Sequence, residues 1–433
     1  MEAEAINGLL TLKFNIIQTV ALGVIMYYFG VFVRSKVHFF VRLSIPASAI
    51  GGLTVAALTA FLQSQHILTL HFDTVSQDLL MVMFFCTVGM NASYKLFRGG
   101  SLSIIAFWGV CAVAAIFQNV AGILVAKFFG MNHLVGIIGG SISMMGGLGT
   151  AGTFGVLFEN TFGVNGAVVA GVTCATFGMI AGSALGGPLS EWIIKKHKII
   201  TPHADLISQS ENNTGDKSSE YEEVATFAQE EGFIPSYSEE KVEDVISGPH
   251  LMKNLSWVLV AMGFGSVLSF YFNKAGIVLP IYLATMIIAV LIRNIGDVSK
   301  LFEIDTKAVG MISDISLAIF VTMVISALNL KELPNLALPL LLMLIIQIIT
   351  VVLMAYFLVF KLLGKDYEST VMAAGFVGFG LGATPNAMVN MHTISAKHGA
   401  PVKAFFVVPI VSAFLIDFTN AIIILFFVKY VLR

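Results

Sequence analysis

Charged residues are scarce in this sequence. Only 12% of its 433 residues are charged, while 57% are hydrophobic and the mean hydropathy is +0.88. A soluble globular chain carries about 25% charged residues. The composition therefore excludes an ordinary soluble domain and predicts an all-α polytopic membrane protein, in which each spanning helix satisfies its own backbone hydrogen bonds.

Cysteines and catalytic motifs are also few. The three cysteines, Cys86, Cys111 and Cys174, lie in apolar runs and suggest neither a disulfide framework nor a metal site. No Walker motif is present, so we expect no ATP engine and an ion gradient as the energy source. An intramembrane aspartyl protease needs two acids deep in the membrane, and the sequence offers one. A membrane serine protease needs a Ser-His pair, and the apolar runs offer only His392, near the end of one run. We expect a protein that is not an enzyme and has no removable signal peptide, because the N-terminus lacks a basic segment and a cleavage site.

Long apolar runs are abundant. About 20 residues at a rise of 1.5 Å cross the hydrocarbon core of a bilayer. Ten runs fit a spanning helix: 14–33, 44–62, 79–94, 101–126, 166–190, 254–272, 277–292, 315–330, 334–360 and 404–428. Two more, 134–158 and 370–395, are apolar but rich in glycine, and they do not resemble ordinary spans.

An acidic segment separates the two groups of spans. Residues 199–250 hold twelve Asp and Glu against two Lys, with many serines. Such a segment cannot bury enough apolar surface to offset its ordering entropy, so it predicts a flexible linker. The chain is thus divided into 1–198, the linker, and 251–433.

The two halves repeat at an offset of about 234 residues. The markers that correspond are Pro46 with Pro280, Phe84-Phe85 with Ile319-Phe320, Gln118 with Gln347, and 147–150 (GLGT) with 380–383 (GLGA). Chance similarity between apolar stretches is the alternative. The markers keep one order, which favours a true repeat.

The positive-inside rule decides between inverted and parallel repeats. If each half has five crossings and its glycine-rich run enters and leaves on one side, 16 basic residues face the inside and 6 the outside. If the glycine-rich runs cross, the counts become 9 inside and 13 outside. The count favours two inverted repeats of five transmembrane helices, with both termini outside and the linker inside.

Both glycine-rich runs predict re-entrant helical hairpins. The second reads GFGLGATPN from residue 378, and a glycine costs about 1 kcal/mol and a proline about 3 kcal/mol against alanine inside a helix. Pro385 fits the first turn of a returning helix, whose N-terminal amides bind anions. Two such tips would form a carboxylate site near the bilayer midplane. The alternative is that the glycines only permit tight helix packing.

A few polar residues lie deep in the apolar runs. Asp417 is the one acid well inside a predicted span, with Asn420 on the same helix face. It could bind a coupling cation or a substrate ammonium group, or be satisfied by a neighbouring helix. Gln118, Asn119 and Gln347 could supply oxygens to a cation or form an interhelical bond. Weaker candidates are Thr87, Asn91, Ser141, Ser143, Asn386 and Asn390.

In these motifs the sequence resembles the bacterial sodium/glutamate symporter family. The resemblance covers both halves and rests on 374–385 (AGFVGFGLGATP), 407–421 (VVPIVSAFLIDFTNA), 140–150 (GSISMMGGLGT), 173–178 (TCATFG) and Gln118-Asn119. It implies sodium-coupled import of glutamate across the bacterial inner membrane. It also implies an elevator-type homodimer with Na⁺ as coupling ion, no other cofactor and no nucleic-acid partner.

The resemblance and the polar residues deep in the apolar runs together give the candidate site residues. For the substrate they are Gly147, Gly149, Thr150, Gly380, Gly382, Thr384, Asn386, Asp417 and Asn420. For sodium they are Gln118, Asn119, Ser143, Gln347 and Asp417. The sequence departs from the family at two places. It carries Leu148 where members have a histidine in the first glycine motif, and Phe376-Val377 where members have His-Cys before the second. Alternatives therefore stay open: another small carboxylate or amino acid, coupling to protons, or a channel or receptor without coupled transport.

Overall fold

The computed structural model describes residues 2–6, 9–42, 45–73, 75–93, 102–201, 247–274, 280–330, 333–399 and 401–431. Most of the predicted linker, 202–246, lies outside these residues. Eight described helices are long and apolar enough to cross a membrane, and a ninth is added if 403–431, bent by 42°, is counted as one span. The protein is thus a largely helical polytopic membrane protein.

The first half carries α1 to α8. Their bounds are Ile16–Lys36 (α1), His38–Arg42 (α2), Ala47–Ser64 (α3), Val75–Asn91 (α4), Leu102–Phe128 (α5), His133–Ile137 (α6), Gly147–Phe162 (α7) and Ala167–His197 (α8). A π-helical turn, Ile138–Ile142, follows α6. Helix α1 begins at a capping box, in which the Gln18 amide donates to Asn15 Oδ1 over 2.9 Å and the Asn15 amide donates to Gln18 Oε1 over 3.1 Å.

The second half carries α9 to α17. Their bounds are Gly248–Lys274 (α9), Ile281–Ser299 (α10), Thr306–Ser326 (α11), Leu333–Met354 (α12), Lys361–Leu363 (α13), Tyr367–Gly380 (α14), Thr384–His398 (α15), Val402–Ile410 (α16) and Ile416–Val431 (α17). π-Helical turns, Ala355–Phe360 and Val411–Leu415, follow α12 and α16. Pro46 and Pro280, matched by the repeat, both stand immediately before a helix, α3 and α10.

A small β-sheet accompanies the helices. Strands β1 (Glu2–Ile6) and β2 (Leu9–Phe14) pair antiparallel, and β2 pairs in parallel with β3 (Leu68–Phe72). The segments LLTLKF and LTLHF alternate apolar and polar residues, the pattern of a half-buried strand. The sequence analysis does not predict these strands, because it searches for apolar runs of about 20 residues and the strands have only five or six.

The helices pack as two bundles, each drawing on both halves of the chain. In the first bundle, α1 and α3 contact each other and α11, and α4 contacts α9, α10 and α11. In the second, α5 to α8 contact α12 and α14 to α17. Each half gives its first three long helices to the first bundle and the remainder to the second. The two glycine-rich runs both belong to the second bundle.

Candidate functional site

Residues 370–395 fold as a helical hairpin made of α14 and α15. A capping box at Asp366 starts α14, with the Ser369 amide donating to Asp366 Oδ1 over 2.8 Å. The two arms lie so close that a Cβ on Gly378 would be 2.6 Å from Ala387 Cα. The chain turns at 381–383, Ala383 is extended, and Pro385 lies in the first turn of α15. This position needs no backbone N–H, as the sequence predicted.

The first glycine-rich run breaks at Gly140, whose ψ of −134° interrupts the helix. The break frees backbone groups, and two buried amides pair with them. The Ser141 amide donates to Asn119 Oδ1 over 2.9 Å, and Asn420 Nδ2 donates to the Ser141 carbonyl over 3.0 Å. Irregular backbone within an apolar environment requires such partners. Asn119 and Asn420 thus support the first tip from behind.

The two hairpin tips touch each other. A Cβ on Gly147 would lie 2.9 Å from the carbonyl oxygen of Gly382. Helix α7 begins at Gly147 and α15 at Thr384, and neither has a side chain that caps its N-terminus. The first amides of a helix have no intrahelical acceptor and carry partial positive charge. The paired tips therefore offer two uncapped helix N-termini to an anion.

We expect Gly147→Ala to destabilise the tip. Gly147 has φ +64°, where a side chain costs about 1–2 kcal/mol, and the new methyl group would press on the Gly382 carbonyl. The control is Gly109→Ala in α5, where a Cβ meets no atom within 4 Å. Thermal melting in detergent should show a lower Tm for Gly147→Ala and no loss for Gly109→Ala. Equal melting of the two variants would contradict the strain at the tip.

A cavity of about 640 Å³, the tip cavity, lies between the tips and the first bundle. Three charged side chains of the described residues line it: Arg34 of α1, Asp314 of α11 and Asp417 of α17. Arg34 Nε is buried without a hydrogen-bond partner among the described residues. The cavity thus combines one guanidinium, two carboxylates and two helix N-termini. This set of charges suits a ligand that carries both carboxylate and ammonium groups, or a carboxylate that binds together with a cation.

The structure brings most of the predicted substrate residues to this cavity. Its walls include Gly147, Gly149, Gly382, Thr384, Asn386 and Asp417. Thr384 Oγ1 donates to the Ser412 carbonyl over 3.0 Å, and Asn386 Nδ2 to the Met179 carbonyl over 2.9 Å. Three predicted residues, Thr150, Gly380 and Asn420, do not line the cavity and lie behind the tips.

The predicted sodium residues form a buried group beside the tips. Gln118 Nε2 donates to the Gly380 carbonyl over 2.7 Å, and Gln347 Nε2 donates to the Gln118 carbonyl over 2.7 Å. Ser143 Oγ donates to the Gly171 carbonyl over 3.0 Å. The Oε1 atoms of Gln118 and Gln347 are buried and have no hydrogen-bond partner among the described residues. The amide nitrogens therefore join helices, while the oxygens are left for a cation or water.

Two charged residues of the cavity were missed from the sequence. Asp314 was read as the boundary of a span beginning at 315, and Arg34 was counted only as a flanking charge. Asp314 lies inside α11 rather than before it, and it lines the tip cavity together with Asp417. A signal was available, because Asp314 interrupts an otherwise uncharged run that begins at 308.

The two departures from the family motifs have different surroundings. Leu148 lies at the first tip and lines the cavity. Phe376 is fully buried in α14, with its ring centroid 6.4 Å from that of Phe107 and 5.6 Å from that of Phe379. Leu148 can therefore contact a ligand, whereas Phe376 packs behind the second tip.

Comparisons with known proteins agree with the sequence motifs. Residues 12–400 match the family model described as sodium/glutamate symporter. The sodium/glutamate symporter of Escherichia coli (strain K12) is 31% identical over 389 residues, which cover 90% of this chain and 91% of that protein. That of Haemophilus influenzae is 28% identical over 408 residues, covering 94% and 96%. A solved sodium proton antiporter from Methanocaldococcus jannaschii aligns with a TM-score of 0.41 at 14% identity, covering 94% of this chain and 96% of that chain.

Proposed function

The chain belongs to the sodium/glutamate symporter family, and we propose that it imports L-glutamate together with Na⁺ across the bacterial inner membrane. Members of this family are transporters rather than enzymes, and Na⁺ is the coupling ion, with no other cofactor indicated. One observation carries the proposal: the tips of two helical hairpins meet at a cavity that also holds Arg34, Asp314 and Asp417.

The charges of the cavity match those of glutamate. The α-carboxylate binds the uncapped amides at the start of α7 and α15, and the ammonium group faces Asp417. The side-chain carboxylate reaches Arg34, whose guanidinium can form paired hydrogen bonds with a carboxylate. Thr384 and Asn386 complete the wall on the side of the second tip.

Sodium binds beside the tips in this proposal. Its ligands include the unpartnered Oε1 atoms of Gln118 and Gln347, with Asn119, Ser143 and Asp417 as further candidates. Transporters coordinate Na⁺ with oxygens next to broken helices near the bilayer midplane. Gln118 touches the second tip through Gly380, so a cation there would stabilise the tip in its substrate-binding form.

The architecture we propose is two inverted repeats, 1–198 and 251–433, joined by a cytoplasmic linker at 199–250, with both termini periplasmic. The packing supports an internal repeat, because corresponding helices of the two halves lie in the same bundle. The second bundle holds both tips and would move against the first, which serves as the scaffold of an elevator-type homodimer. The hairpins, 134–158 and 370–395, would each enter and leave the membrane on one side.

A second candidate keeps the scaffold and changes the ligand. Leu148 lines the cavity at the position where family members carry histidine, which makes the first tip less polar. This favours a different small carboxylate or amino acid as substrate, or a changed role for protons in coupling.

Uptake by proteoliposomes tests the proposal. With a Na⁺ gradient as the sole driving force, we expect labelled glutamate to accumulate above its external concentration, and sodium and pH are varied independently to separate the two ions. Glutamate uptake that does not depend on sodium would contradict the proposal. Competition by a panel of dicarboxylates and amino acids separates glutamate from the second candidate, and flux without accumulation would indicate a channel.

A further inference from the structure

Two spanning helices of the second bundle end side by side with basic residues in their last turns. Helix α8 contacts α12 and ends at His197, with Lys195 and Lys196 just before it. The span that contains α12 continues through its π-helical turn to Leu363, and Lys361 lies in its last turn. Under the proposed orientation both ends lie at the cytoplasmic surface of the bilayer, at the level of the lipid headgroups.

An aromatic cluster holds two of these lysines. Lys196 Nζ lies 4.2 Å from the centroid of the Trp192 ring and 5.4 Å from that of Tyr356. Lys361 Nζ lies 4.9 Å from the Tyr356 centroid and 4.6 Å from that of Phe357. The ring of Tyr356 therefore brings an ammonium group of each helix to one place. We call this group the Tyr356 cluster: Trp192, Lys196, His197, Tyr356, Phe357 and Lys361.

The lysines of the Tyr356 cluster have no acidic partner among the described residues. The acids nearest to them in sequence are engaged elsewhere, since Glu191 pairs with Lys397 over 3.2 Å and the Asp366 carboxylate caps α14. The aromatic rings hold the ammonium groups without neutralising their charge. Two cations that are positioned but not paired favour an anionic ligand.

An exposed apolar stripe on α12 leads from the bilayer interior to the Tyr356 cluster. Its members recur every three or four residues and so occupy one face of the helix. They are Leu338, Leu341, Ile345, Ile349, Leu353 and Phe357. Lys361 follows Phe357 by four residues and continues the same face. On a span of this length and hydropathy, such a face contacts lipid tails, and the charge stands where the tails end.

The residues around the charge are those of a membrane interface. Trp192 is 45% exposed, and tryptophan and tyrosine are enriched at the level of the headgroups, because one end of each ring is apolar and the other polar. Tyr356 lies within a π-helical turn, a feature found frequently at functional sites. Its hydroxyl shares a hydrogen bond of 3.1 Å with His197 Nε2, which joins α8 to this turn. Apolar stripe, aromatic rings and cations thus follow one another in the order of the parts of a phospholipid.

We propose that the Tyr356 cluster binds the headgroup of an anionic phospholipid. The phosphate lies between the ammonium groups of Lys196 and Lys361, which are flexible enough to turn toward one anion, and the acyl chains lie along the apolar stripe of α12. The site requires only a bilayer around the second bundle. It goes beyond the proposed transport and does not depend on glutamate as the substrate.

Fluorescence of Trp192 tests this directly, because Trp192 belongs to the cluster. The chain has three tryptophans, so Trp108→Phe with Trp257→Phe leaves Trp192 as the single one. The protein is reconstituted in phosphatidylcholine bilayers that contain increasing fractions of phosphatidylglycerol with brominated acyl chains, which quench a tryptophan in contact with them. A parallel series contains brominated phosphatidylcholine, and the two quenching curves give the preference of the site for the anionic lipid.

We expect a preference for phosphatidylglycerol of about 30-fold, since each lysine beside an anionic lipid contributes about fivefold. Lys196→Gln with Lys361→Gln should abolish the preference, whereas Lys196→Arg with Lys361→Arg should keep most of it. The matched control is Lys300→Gln with Lys307→Gln, which removes two exposed lysines of the first bundle that the proposed orientation places on the same side of the membrane. It should leave the preference unchanged.

Three results would overturn the inference: equal quenching by the two lipids, a preference that survives Lys196→Gln with Lys361→Gln, or an equal loss in the control pair. Loss of the preference on addition of inorganic phosphate at constant ionic strength would also overturn it, by assigning the cluster to a free anion. A preference that appears only after deletion of 205–244 would do the same, by assigning the cluster to the acidic segment. Failure of the proposed transport is distinguishable, because quenching does not measure uptake.

Thermal melting gives a second readout. The π-helical turn that carries Tyr356 contacts α14, so a bound lipid stabilises the base of the second hairpin. Phosphatidylglycerol added to the protein in detergent should raise the Tm more than phosphatidylcholine does, because a ligand that binds only the folded state stabilises it. This difference should vanish in Lys196→Gln with Lys361→Gln. An equal rise in Tm with the two lipids in the unaltered protein would contradict the inference.

Discussion

Asp417→Asn is expected to abolish sodium-coupled uptake while leaving expression and melting near normal. Asp417 lies in the first turn of α17, lines the tip cavity and has no hydrogen bond or ion pair with the described residues. A carboxylate kept at membrane depth without a protein partner is available to a cation or an ammonium group. Asparagine keeps the shape and removes the charge. Truncating one side of a buried charge pair costs about 2–5 kcal/mol, so uptake should fall at least about 30-fold.

The matched control for Asp417 is Glu303→Gln, which removes an exposed carboxylate that does not line the tip cavity. It should transport as the unaltered protein does. Initial uptake rates of the milder variant Asp417→Glu, measured at varied sodium and at varied glutamate, show which ligand Asp417 binds. The half-saturation concentration of that ligand should rise more than that of the other. Unaltered kinetics in Asp417→Asn would assign this residue to structure and remove the central charge from the proposed site.

Arg34→Gln is expected to weaken glutamate binding in the tip cavity by at least about tenfold. Among the described residues, Arg34 is the one cation that lines the tip cavity, and hydrogen bonds to charged groups contribute about 1.5–3 kcal/mol. The loss should be largest for ligands with two carboxylates and small for neutral amino acids, which have no side-chain charge for Arg34 to bind. Binding of labelled glutamate, aspartate and neutral amino acids to the purified protein in detergent measures this loss.

Two further variants serve as controls for Arg34→Gln. Lys36→Gln removes an exposed charge in the last turn of the same helix and should leave binding unchanged. Arg34→Lys keeps the charge but loses the planar fork that pairs with a carboxylate, so part of the affinity should remain. If Lys36→Gln and Arg34→Gln weaken binding alike, the effect is long-range electrostatics rather than direct contact.

The helices and the tips could be predicted because their signals are local. A helix occupies each of the ten apolar runs, and the breaks fall at Gly140 and at 381–383, inside the glycine-rich segments. Pro385 marked the start of α15 for the same reason, since its ring fixes the backbone whatever surrounds it.

The remainder of the candidate site depends on contacts that no local pattern contains. Arg34 is separated from Gly382 by almost the whole chain, and its place in the cavity follows from how α1 packs on α11. Asp314 could not be recognised as a site residue because charged residues define the ends of apolar runs. A functional charge inside a helix is then taken for the end of a span. Gln118 could be recognised as unusual, but its bond to Gly380 spans 262 positions.

This bond between Gln118 and Gly380 has a consequence for how the chain is made. When the ribosome has completed the first half, the Ser141 amide can already bond to Asn119, but the Gln118 side chain and the carbonyls of Gln118 and Ser141 lack their partners Gly380, Gln347 and Asn420, which are not yet synthesised. Contacts of such high sequence separation form slowly and late. These polar groups of α5 and of the first hairpin therefore stay unpaired until the second half is inserted, and correct folding depends on the two halves meeting.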